Sequence, residues 1–236
     1  MKLCVWLIRL LLLGMASLSI ASPTIAETIA IIGTGNVATA LGPAFAAQGH
    51  TIVYGSRDPS RASVEKLLAA TGDGAAATTQ AEAVAGADIV VLAVPGLLVE
   101  EIVRGLGDLS GKIIIDPTNP LQRSSGTLIH AVATSNAEII QNLAPDAHVV
   151  KAFNTLNWRT MVDPASAGGP VSIPLAGNSS AAKQVVAGLV EGMGLEAIDV
   201  GSVENAHWVE GMLILWINNR YGSDARQSFD FHLRKN

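Results

Sequence analysis

Cysteine is almost absent from this sequence: the single residue, Cys4, lies in an apolar segment at the N-terminus. The rest of the chain therefore offers no thiol, which excludes a disulfide framework, a cysteine nucleophile and a cysteine-ligated zinc site. The five histidines, at positions 50, 130, 148, 207 and 232, lack the spacing of metal ligands. We expect no metal site, and the sequence marks no catalytic acid–base group.

Basic residues are also scarce, with 15 lysines and arginines against 20 aspartates and glutamates, for a net charge of −5. No basic run is present, so neither nucleic acid nor an anionic membrane surface is an expected partner. Aromatic residues make up 4% of the chain, whereas 49% of its residues are apolar. This composition fits a core of Ala, Val, Ile and Leu, as buried parallel strands require.

The first 26 residues form a separate segment. Lys2 and Arg9 precede an uncharged apolar stretch, residues 10–20, and small residues follow as far as Ala26. This order is typical of a secretory signal peptide rather than of a membrane-spanning helix. We therefore expect export, with the periplasm as the destination, and no stable membrane span in the mature chain. If translation starts at Met15, the basic region is lost and the protein is expected in the cytoplasm.

Residues 29–57 are typical of a strand, a glycine-rich turn, a helix and a second strand. The turn and the start of the helix are formed by Gly33, Thr34, Gly35, Asn36, Val37 and Ala38. Gly33 allows a tight turn after the strand, and Gly35 lets the backbone approach a pyrophosphate. Ala38 is small enough for the helix to pack closely on the strand. Because free N–H groups at a helix start bind phosphates, the pattern predicts the dinucleotide-binding half of a Rossmann fold.

The end of the second strand discriminates between NAD and NADP. An NAD site usually carries Asp or Glu here, and that carboxylate would repel a 2′-phosphate. This chain instead has Ser56 and Arg57, with Arg61 one helical turn further on. A hydroxyl and two guanidinium groups would bind the 2′-phosphate, so the pattern predicts NADP. The alternative is that both arginines are solvated surface charges.

Beyond residue 57, strand-like apolar runs alternate with helical patterns, which predicts an α/β fold with a doubly wound parallel sheet. Three strand ends reach the carboxyl edge, where such sheets bind ligands. The fourth strand is followed by Ala93, Val94 and Pro95, and the fifth ends in the stretch Asp116 to Pro120, which includes Asn119. The sixth is followed by Phe153, Asn154 and Thr155. We expect all three to face the nicotinamide half of the cofactor. For Asn119 and Asn154, turn formation is the alternative.

The chain divides into a Rossmann domain over residues 27–153 and a small α/β segment over residues 154–236, ending in a long helix and a polar tail. One face of that helix, predicted over Glu204–Arg220, carries Val209, Met212, Leu213, Trp216 and Arg220. Such a face is typical of core packing, with a homodimer contact or a substrate-pocket wall as alternatives. Lys151 is a candidate proton donor for a carbonyl substrate, but too few residues follow it for the helical domain of such enzymes.

Together, these motifs resemble the coenzyme F420-dependent NADP oxidoreductase family, which also supplies the reductase domain of six-transmembrane metalloreductases. The shared sequences are G-T-G-N-V-A, G-S-R, A-V-P, D-P-T-N-P, V-V-K-A-F-N-T and E-A-I-D-V-G-S, within residues 28–220. The resemblance implies hydride transfer between NADPH and a deazaflavin or flavin-type acceptor, a small molecule. Alternatives are an NADPH-dependent flavin or ferric reductase and a non-catalytic NADPH-binding module.

The resemblance also implies roles for individual residues. NADPH would contact Thr34, Asn36 and Val37. Its 2′-phosphate would bind Ser56 and Arg57, and its nicotinamide would lie near Val94 and Pro95. The acceptor would stack on the nicotinamide against Asn154, Thr155, Leu156 and the C-terminal helix. Family members that bind the deazaflavin carry His-Thr where this chain has Asn154-Thr155. Hydride transfer requires proximity and stacking more than acid–base groups, in keeping with their absence from the motifs.

Overall fold

The computed structural model describes residues 26–221 and 229–234. The predicted signal peptide therefore lies outside the described residues, apart from Ala26. The strands are β1 (Thr28–Ile32), β2 (Thr51–Gly55), β3 (Ala76–Thr78), β4 (Ile89–Leu92), β5 (Ile113–Asp116), β6 (Leu121–Ser124), β7 (Thr127–His130), β8 (His148–Lys151), β9 (Ser172–Leu175) and β10 (Glu196–Asp199). The α-helices are α1 (Asn36–Ala46), α2 (Ala62–Thr71), α3 (Gln80–Ala85), α4 (Val99–Arg104), α5 (Asn136–Leu143), α6 (Trp158–Val162), α7 (Ser180–Gly192) and α8 (Ala206–Tyr221).

Six strands form one parallel sheet in the order β3-β2-β1-β4-β5-β8. This is the strand order of the dinucleotide-binding fold, so the predicted doubly wound sheet is confirmed. The order reverses between β1 and β4, where the connections leave in opposite directions. Ligands bind at such a point, outside the carboxyl ends of the strands.

The central strands are buried on both faces, so their side chains alternate between two hydrophobic cores. Ile29 and Ile31 pack with Phe45 of α1 in one core. Ala30 and Ile32 point the other way and join the second core. Burial on both faces explains the continuous apolar runs in the sequence.

The segment after β8 packs on the sheet. Strands β9 and β10 form a separate parallel pair, and an antiparallel bridge between Lys151 and Ala176 connects β8 to the chain just beyond β9. Met161 and Ile173 belong to the same core as Ile29. A division of the chain at residue 153 stays a prediction, since this core extends across it.

The end of the described chain lies along β9. The backbone N–H of Ser172 donates to the carbonyl of Phe231 over 3.1 Å. The N–H of Leu233 donates to the Ser172 hydroxyl over 2.8 Å. Residues 229–234 are therefore attached to the body of the same chain.

A β-hairpin that the sequence patterns did not predict extends from the carboxyl edge. Strands β6 and β7 pair antiparallel, and the turn residues Ser125 and Gly126 both have positive φ, 48° and 89°. Two such residues form the tight turn that matches the twist of a hairpin. The Asn218 amide of α8 exchanges two hydrogen bonds with the backbone of Leu128, of 2.9 and 2.8 Å. The hairpin is thereby held against the last helix.

None of the helices in the described part of the chain has the length and apolar content that a bilayer crossing requires.

Candidate functional site

The glycine turn between β1 and α1 depends on close backbone contacts. Gly33 has φ +108°, and a Cβ atom here would lie 2.2 Å from the carbonyl oxygen of Ala93. Its N–H donates to the Gly55 carbonyl over 2.9 Å, which joins the turn to the end of β2. At Gly35, by contrast, a Cβ atom would meet nothing within 4 Å. Gly33 is therefore required by the fold, whereas Gly35 borders open space of the kind a bound pyrophosphate needs.

Helix α1 begins at this turn with free N–H groups. No side chain caps its N-terminus, and its first turn carries no acidic residue. Thr34 is partly exposed, Asn36 is exposed and Val37 is partly buried. An anion at this position would accept hydrogen bonds from the first turn and would be favoured by the helix dipole.

The predicted 2′-phosphate residues follow the carboxyl end of β2. The hydroxyl of Ser56 is buried and committed to its own loop, because it donates to the Asp58 carbonyl over 2.9 Å and accepts from the Asp58 N–H over 3.2 Å. Arg57 is exposed. The Arg61 guanidinium donates to the Thr34 hydroxyl over 2.8 Å, which joins this loop to the glycine turn. Arg61 thus lies beside the turn and Arg57 is exposed at the end of β2, so these two cations, rather than the Ser56 hydroxyl, are available to an anion.

A carboxylate, that of Glu82, lies in the first turn of the neighbouring helix α3. The hydroxyls of Thr78 and Thr79 donate to Glu82, as does the Thr79 backbone N–H, and these hydrogen bonds lower the pKa of this carboxyl group. The charge of Glu82 stabilises the start of α3 as part of a capping box.

The three strand ends predicted to face the nicotinamide are brought together. A Cβ atom on Gly96, directly after residues 93–95, would lie 2.0 Å from the carbonyl oxygen of Asn119. The Asn119 amide donates to the Asn154 carbonyl over 3.2 Å. In return, the Asn154 amide donates to Asn119 Oδ1 over 3.0 Å and to the Val209 carbonyl over 3.2 Å. The loops after β4, β5 and β8 therefore meet helix α8 at one place.

The backbone directly before Asn154 is strained. The preceding residue, Phe153, has φ +62° although it is not a glycine, and it is 1% exposed. Its ring packs edge-on against Phe45, with ring centroids 6.1 Å apart. A bulky residue in the left-handed region persists only when its surroundings hold it, and such residues cluster at functional sites.

One atom at this junction lacks a partner. Among the buried side-chain polar atoms of the described residues, only Asn154 Oδ1 makes no hydrogen bond. A buried acceptor of this kind costs free energy until a donor reaches it. Thr155 and Leu156, the other predicted acceptor-contacting residues, are buried at 2% and 7% exposure.

Lys151, the candidate proton donor, lies fully buried among acceptors. Its ammonium donates to Asp116 Oδ2 over 2.9 Å, to Glu210 Oε1 over 2.6 Å and to the carbonyl of Thr118. An ammonium has three donors, and all three are used. Lys151 therefore has a structural role here and presents no proton to a substrate.

No pattern in the sequence marked Glu210. It is fully buried on α8, directly after Val209, although it was not part of the face predicted to be buried. On the same helix Val209, Leu213 and Trp216 are buried as predicted, whereas Met212 is partly exposed and Arg220 exposed. Within residues 26–221 and 229–234, no group of three or more His, Cys, Asp or Glu side chains is arranged to bind a metal ion.

Comparison with protein families gives a match over residues 28–120, to the family model described as NADP oxidoreductase, coenzyme F420-dependent. The F420-dependent NADP reductase of Methanothermobacter thermautotrophicus is 30% identical over 209 residues, which cover 80% of this chain and 88% of that protein. The metalloreductase STEAP3 of Rattus norvegicus is 31% identical over 192 residues, or 80% of this chain. The chain spans 37% of the length of that metalloreductase.

The fold also matches solved structures. A proposed F420-dependent NADP reductase from Arthrobacter sp. FB24 superimposes with a TM-score of 0.80 at 33% sequence identity. The match covers 89% of this chain and the whole of that structure, so it includes the segment after β8.

Proposed function

This chain belongs to the coenzyme F420-dependent NADP oxidoreductase family, and we propose that it transfers hydride between NADPH and coenzyme F420, a deazaflavin. Dependence on NADP(H) and oxidoreductase activity follow from the family itself. The hydride leaves C4 of the nicotinamide, and the deazaflavin takes it up together with one proton from solvent. The cofactors supply this chemistry, so the chain has to bind and align them.

The observation that carries the choice of acceptor is the extent of the likeness. The chain covers 88% of a protein named as an F420-dependent NADP reductase, and the whole length of a solved structure proposed to be one. The shared part includes both the nucleotide half and the segment that closes the acceptor side.

The chemistry of the nicotinamide end supports a ring-shaped acceptor. Reduction of a carbonyl group requires a proton donor beside the developing alkoxide. The ammonium of Lys151 is committed to three acceptors and cannot serve in this way. A deazaflavin spreads the incoming charge over its ring system and needs no such donor, since stacking and proximity are sufficient.

We assign NADPH to the switch point of the sheet. The pyrophosphate would lie on the turn Gly33 to Val37, and the 2′-phosphate beside Arg57 and Arg61. The nicotinamide would lie against Ala93, Val94, Pro95 and Asn119. Asn154 Oδ1, which lacks a partner in the described chain, would accept an N–H of one of the two stacked rings. Thr155 and Leu156 would support the acceptor from below.

A second candidate is an NADPH-dependent flavin or ferric reductase. It is favoured by the 31% identity to STEAP3 over 80% of this chain. Asn154-Thr155 in place of the His-Thr of deazaflavin-binding members points the same way. A non-catalytic NADPH-binding module is the third candidate.

A panel of acceptors separates these candidates. The purified protein is mixed with NADPH and, in separate reactions, with F420, FMN, FAD or ferric citrate, and NADPH oxidation is followed by absorbance. We expect kcat/KM for F420 to exceed that for each of the others at least tenfold. A flavin or iron preference would support the second candidate, and tight NADPH binding without turnover the third.

Export by the N-terminal segment remains a proposal that rests on the sequence alone. N-terminal sequencing of the native protein tests it. A start near Ser22 or Glu27 supports cleavage, whereas a start at Met15 supports a cytoplasmic location.

A homodimer through α8 is supported by its outward face. Trp208 and Leu215 are 72% and 60% exposed, and they lie seven residues apart on one side of the helix. Light scattering on the purified protein measures the molar mass, and a monomer at micromolar concentration would contradict this proposal.

A further inference from the structure

Beneath the nicotinamide end lies a buried carboxylate, Glu210, that binds three different segments of the chain. Its Oε1 accepts from the Lys151 ammonium over 2.6 Å and from the backbone N–H of Asn136, the first residue of α5, over 2.9 Å. Its Oε2 lies 2.5 Å from His130 Nε2 in the β6–β7 hairpin. Both Glu210 and Lys151 have no exposed side-chain area. One residue of α8 thus connects β8, α5 and the hairpin.

The contacts of His130 determine where a proton lies. Its Nδ1 is 2.8 Å from the carbonyl oxygen of Val132, and its Nε2 faces Glu210. A carbonyl only accepts, so Nδ1 must carry a hydrogen. A neutral imidazole has one N–H, which would leave Nε2 and the carboxylate as two acceptors facing each other. One proton must therefore lie between His130 and Glu210.

That proton also balances the charge of the cluster. Asp116 and Lys151 are paired at 2.9 Å, and both are fully buried. Glu210 would add an uncompensated negative charge, which a low-dielectric interior disfavours strongly. Because Glu210 already accepts two strong hydrogen bonds that stabilise its ionised form, the proton belongs on His130. The ring of His207 packs edge-on against that of His130, with centroids 5.0 Å apart, and is the further titratable group beside it.

The same carboxylate sets the position of the two asparagines at the nicotinamide end. Val209, next to Glu210, accepts from the Asn154 amide. Lys151 lies three residues before Asn154 on the same strand end. Asn136, bound by Glu210 through its N–H, donates its amide to the Thr118 hydroxyl over 2.7 Å, next to Asn119. A shift of Glu210 would therefore move α8 relative to both asparagines.

We propose that Glu210 is a positioning residue for hydride transfer, and that an imidazolium at His130 completes the ion pairs that hold it. The first part rests on the proposed function, because it presumes a nicotinamide and an acceptor stacked at Asn119 and Asn154. The second part concerns the protein alone and is independent of any reaction.

The substitution Glu210→Gln tests the positioning role. It keeps the size of the side chain but removes the charge that binds Lys151 and His130. We expect kcat with F420 to fall about 10- to 100-fold, since a misplacement of about 1 Å at a hydride-transfer site costs that much. The Kd of NADPH, set mainly by the phosphates at the other end, should change less than threefold. The matched control, Glu204→Gln on the exposed turn before α8, should leave both unchanged.

A kcat within threefold of wild type in Glu210→Gln would overturn the positioning role. Equal losses in kcat and NADPH affinity would also overturn it, because they would indicate general damage to the fold. If Glu210→Gln does not fold, His130→Gln keeps the Lys151 and Asn136 contacts, and should lower kcat about 3- to 10-fold with the Kd of NADPH unchanged.

The protonation of His130 is measured on the wild-type protein without any substrate. The ¹⁵N chemical shifts of its ring separate an imidazolium from either neutral tautomer, and His130→Gln identifies the signal. We expect both nitrogens protonated at pH 7 and the imidazolium signal lost in Glu210→Gln. A neutral ring in the wild type would overturn the charge assignment. If the wild type reduces no acceptor, the proposed function and the positioning role fail while this result is unaffected.

Discussion

Replacement of Arg57 by alanine tests the assignment of the NADP 2′-phosphate. The exposed guanidinium follows Ser56 at the end of β2. The Ser56 hydroxyl is occupied by Asp58, and Arg61 already donates to Thr34. Arg57 is therefore the side chain best able to turn toward a phosphate without loss of a contact within the protein. NADH lacks this phosphate and serves as the internal reference.

The expected loss of NADPH affinity follows from the kind of contact that Arg57 makes and from its exposure to solvent. A hydrogen bond to a charged group contributes about 1.5–3 kcal/mol when it is well shielded. Because Arg57 is exposed, solvent and salt reduce its contribution to about 1–2 kcal/mol. At about 1.4 kcal/mol per factor of ten, the Kd of NADPH should rise about 5- to 30-fold in Arg57→Ala. The Kd of NADH should change less than twofold.

Isothermal titration calorimetry at low salt measures both dissociation constants. Arg104→Ala is the matched control, since this exposed arginine pairs with Glu100 over 2.8 Å on α4 and should not affect either coenzyme. Ser56→Asp should shift the preference toward NADH, because it places a carboxylate beside the phosphate. Equal weakening of NADPH and NADH in Arg57→Ala would refute the assignment, as would an unchanged NADPH affinity.

Four further substitutions test the glycine turn, the buried ion pairs and the titration of a buried histidine. Gly33→Ala places a Cβ atom 2.2 Å from the carbonyl oxygen of Ala93 at a residue with φ +108°. It should lower the free energy of unfolding, measured by urea denaturation, by about 2–5 kcal/mol. Gly35→Ala should fold normally and weaken only the binding of NADPH. Lys151→Met leaves the buried Asp116 without its cationic partner and removes one of the partners of Glu210. It should cost about 3–5 kcal/mol by the same assay, so a loss under about 1 kcal/mol would contradict the ion-pair account. Burial lowers the pKa of His50 from 6.5, so its neutral form contributes stability that is lost as pH falls below about 6.5. Between about pH 7.5 and pH 5.5, His50→Gln should therefore lose less unfolding free energy than the wild-type protein. An equal loss in the two proteins would show that His50 does not contribute to this pH dependence.

The sheet and its ligand-binding edge could be predicted because local patterns specify them. The run from Ile89 to Leu92 is apolar at every position, as a strand buried on both faces requires. Gly33 was predicted from the turn it makes, and the structure adds its contact with Ala93 at the end of β4. The pattern over Leu97–Leu106 predicts one helix, whereas the structure has a 3₁₀ turn over Gly96–Leu98 and then α4, which begins at Val99 and ends at Arg104.

The parts that were missed depend on contacts between distant residues. The β6–β7 hairpin had a local signal, Ser125-Gly126 between strand-like residues, but its partner Asn218 on α8 is 90 residues away from Leu128. The contact between Glu210 and His130 joins residues 80 apart, and no periodicity reports such a pairing. The strain at Phe153 likewise follows from tertiary packing rather than from its neighbours in sequence.

Direct transfer of hydrogen between the two cofactors is the most direct test of the proposed function. NADPH deuterated at C4 is mixed with the wild-type protein and F420 in ordinary water, and the reduced deazaflavin is analysed by mass spectrometry and NMR. One deuteron should appear on the ring carbon that accepts the hydride. The same reaction with deuterated NADH should be much slower, because the 2′-phosphate is missing. Reduced deazaflavin without deuterium, or no reduction while NADPH is bound, would contradict the account.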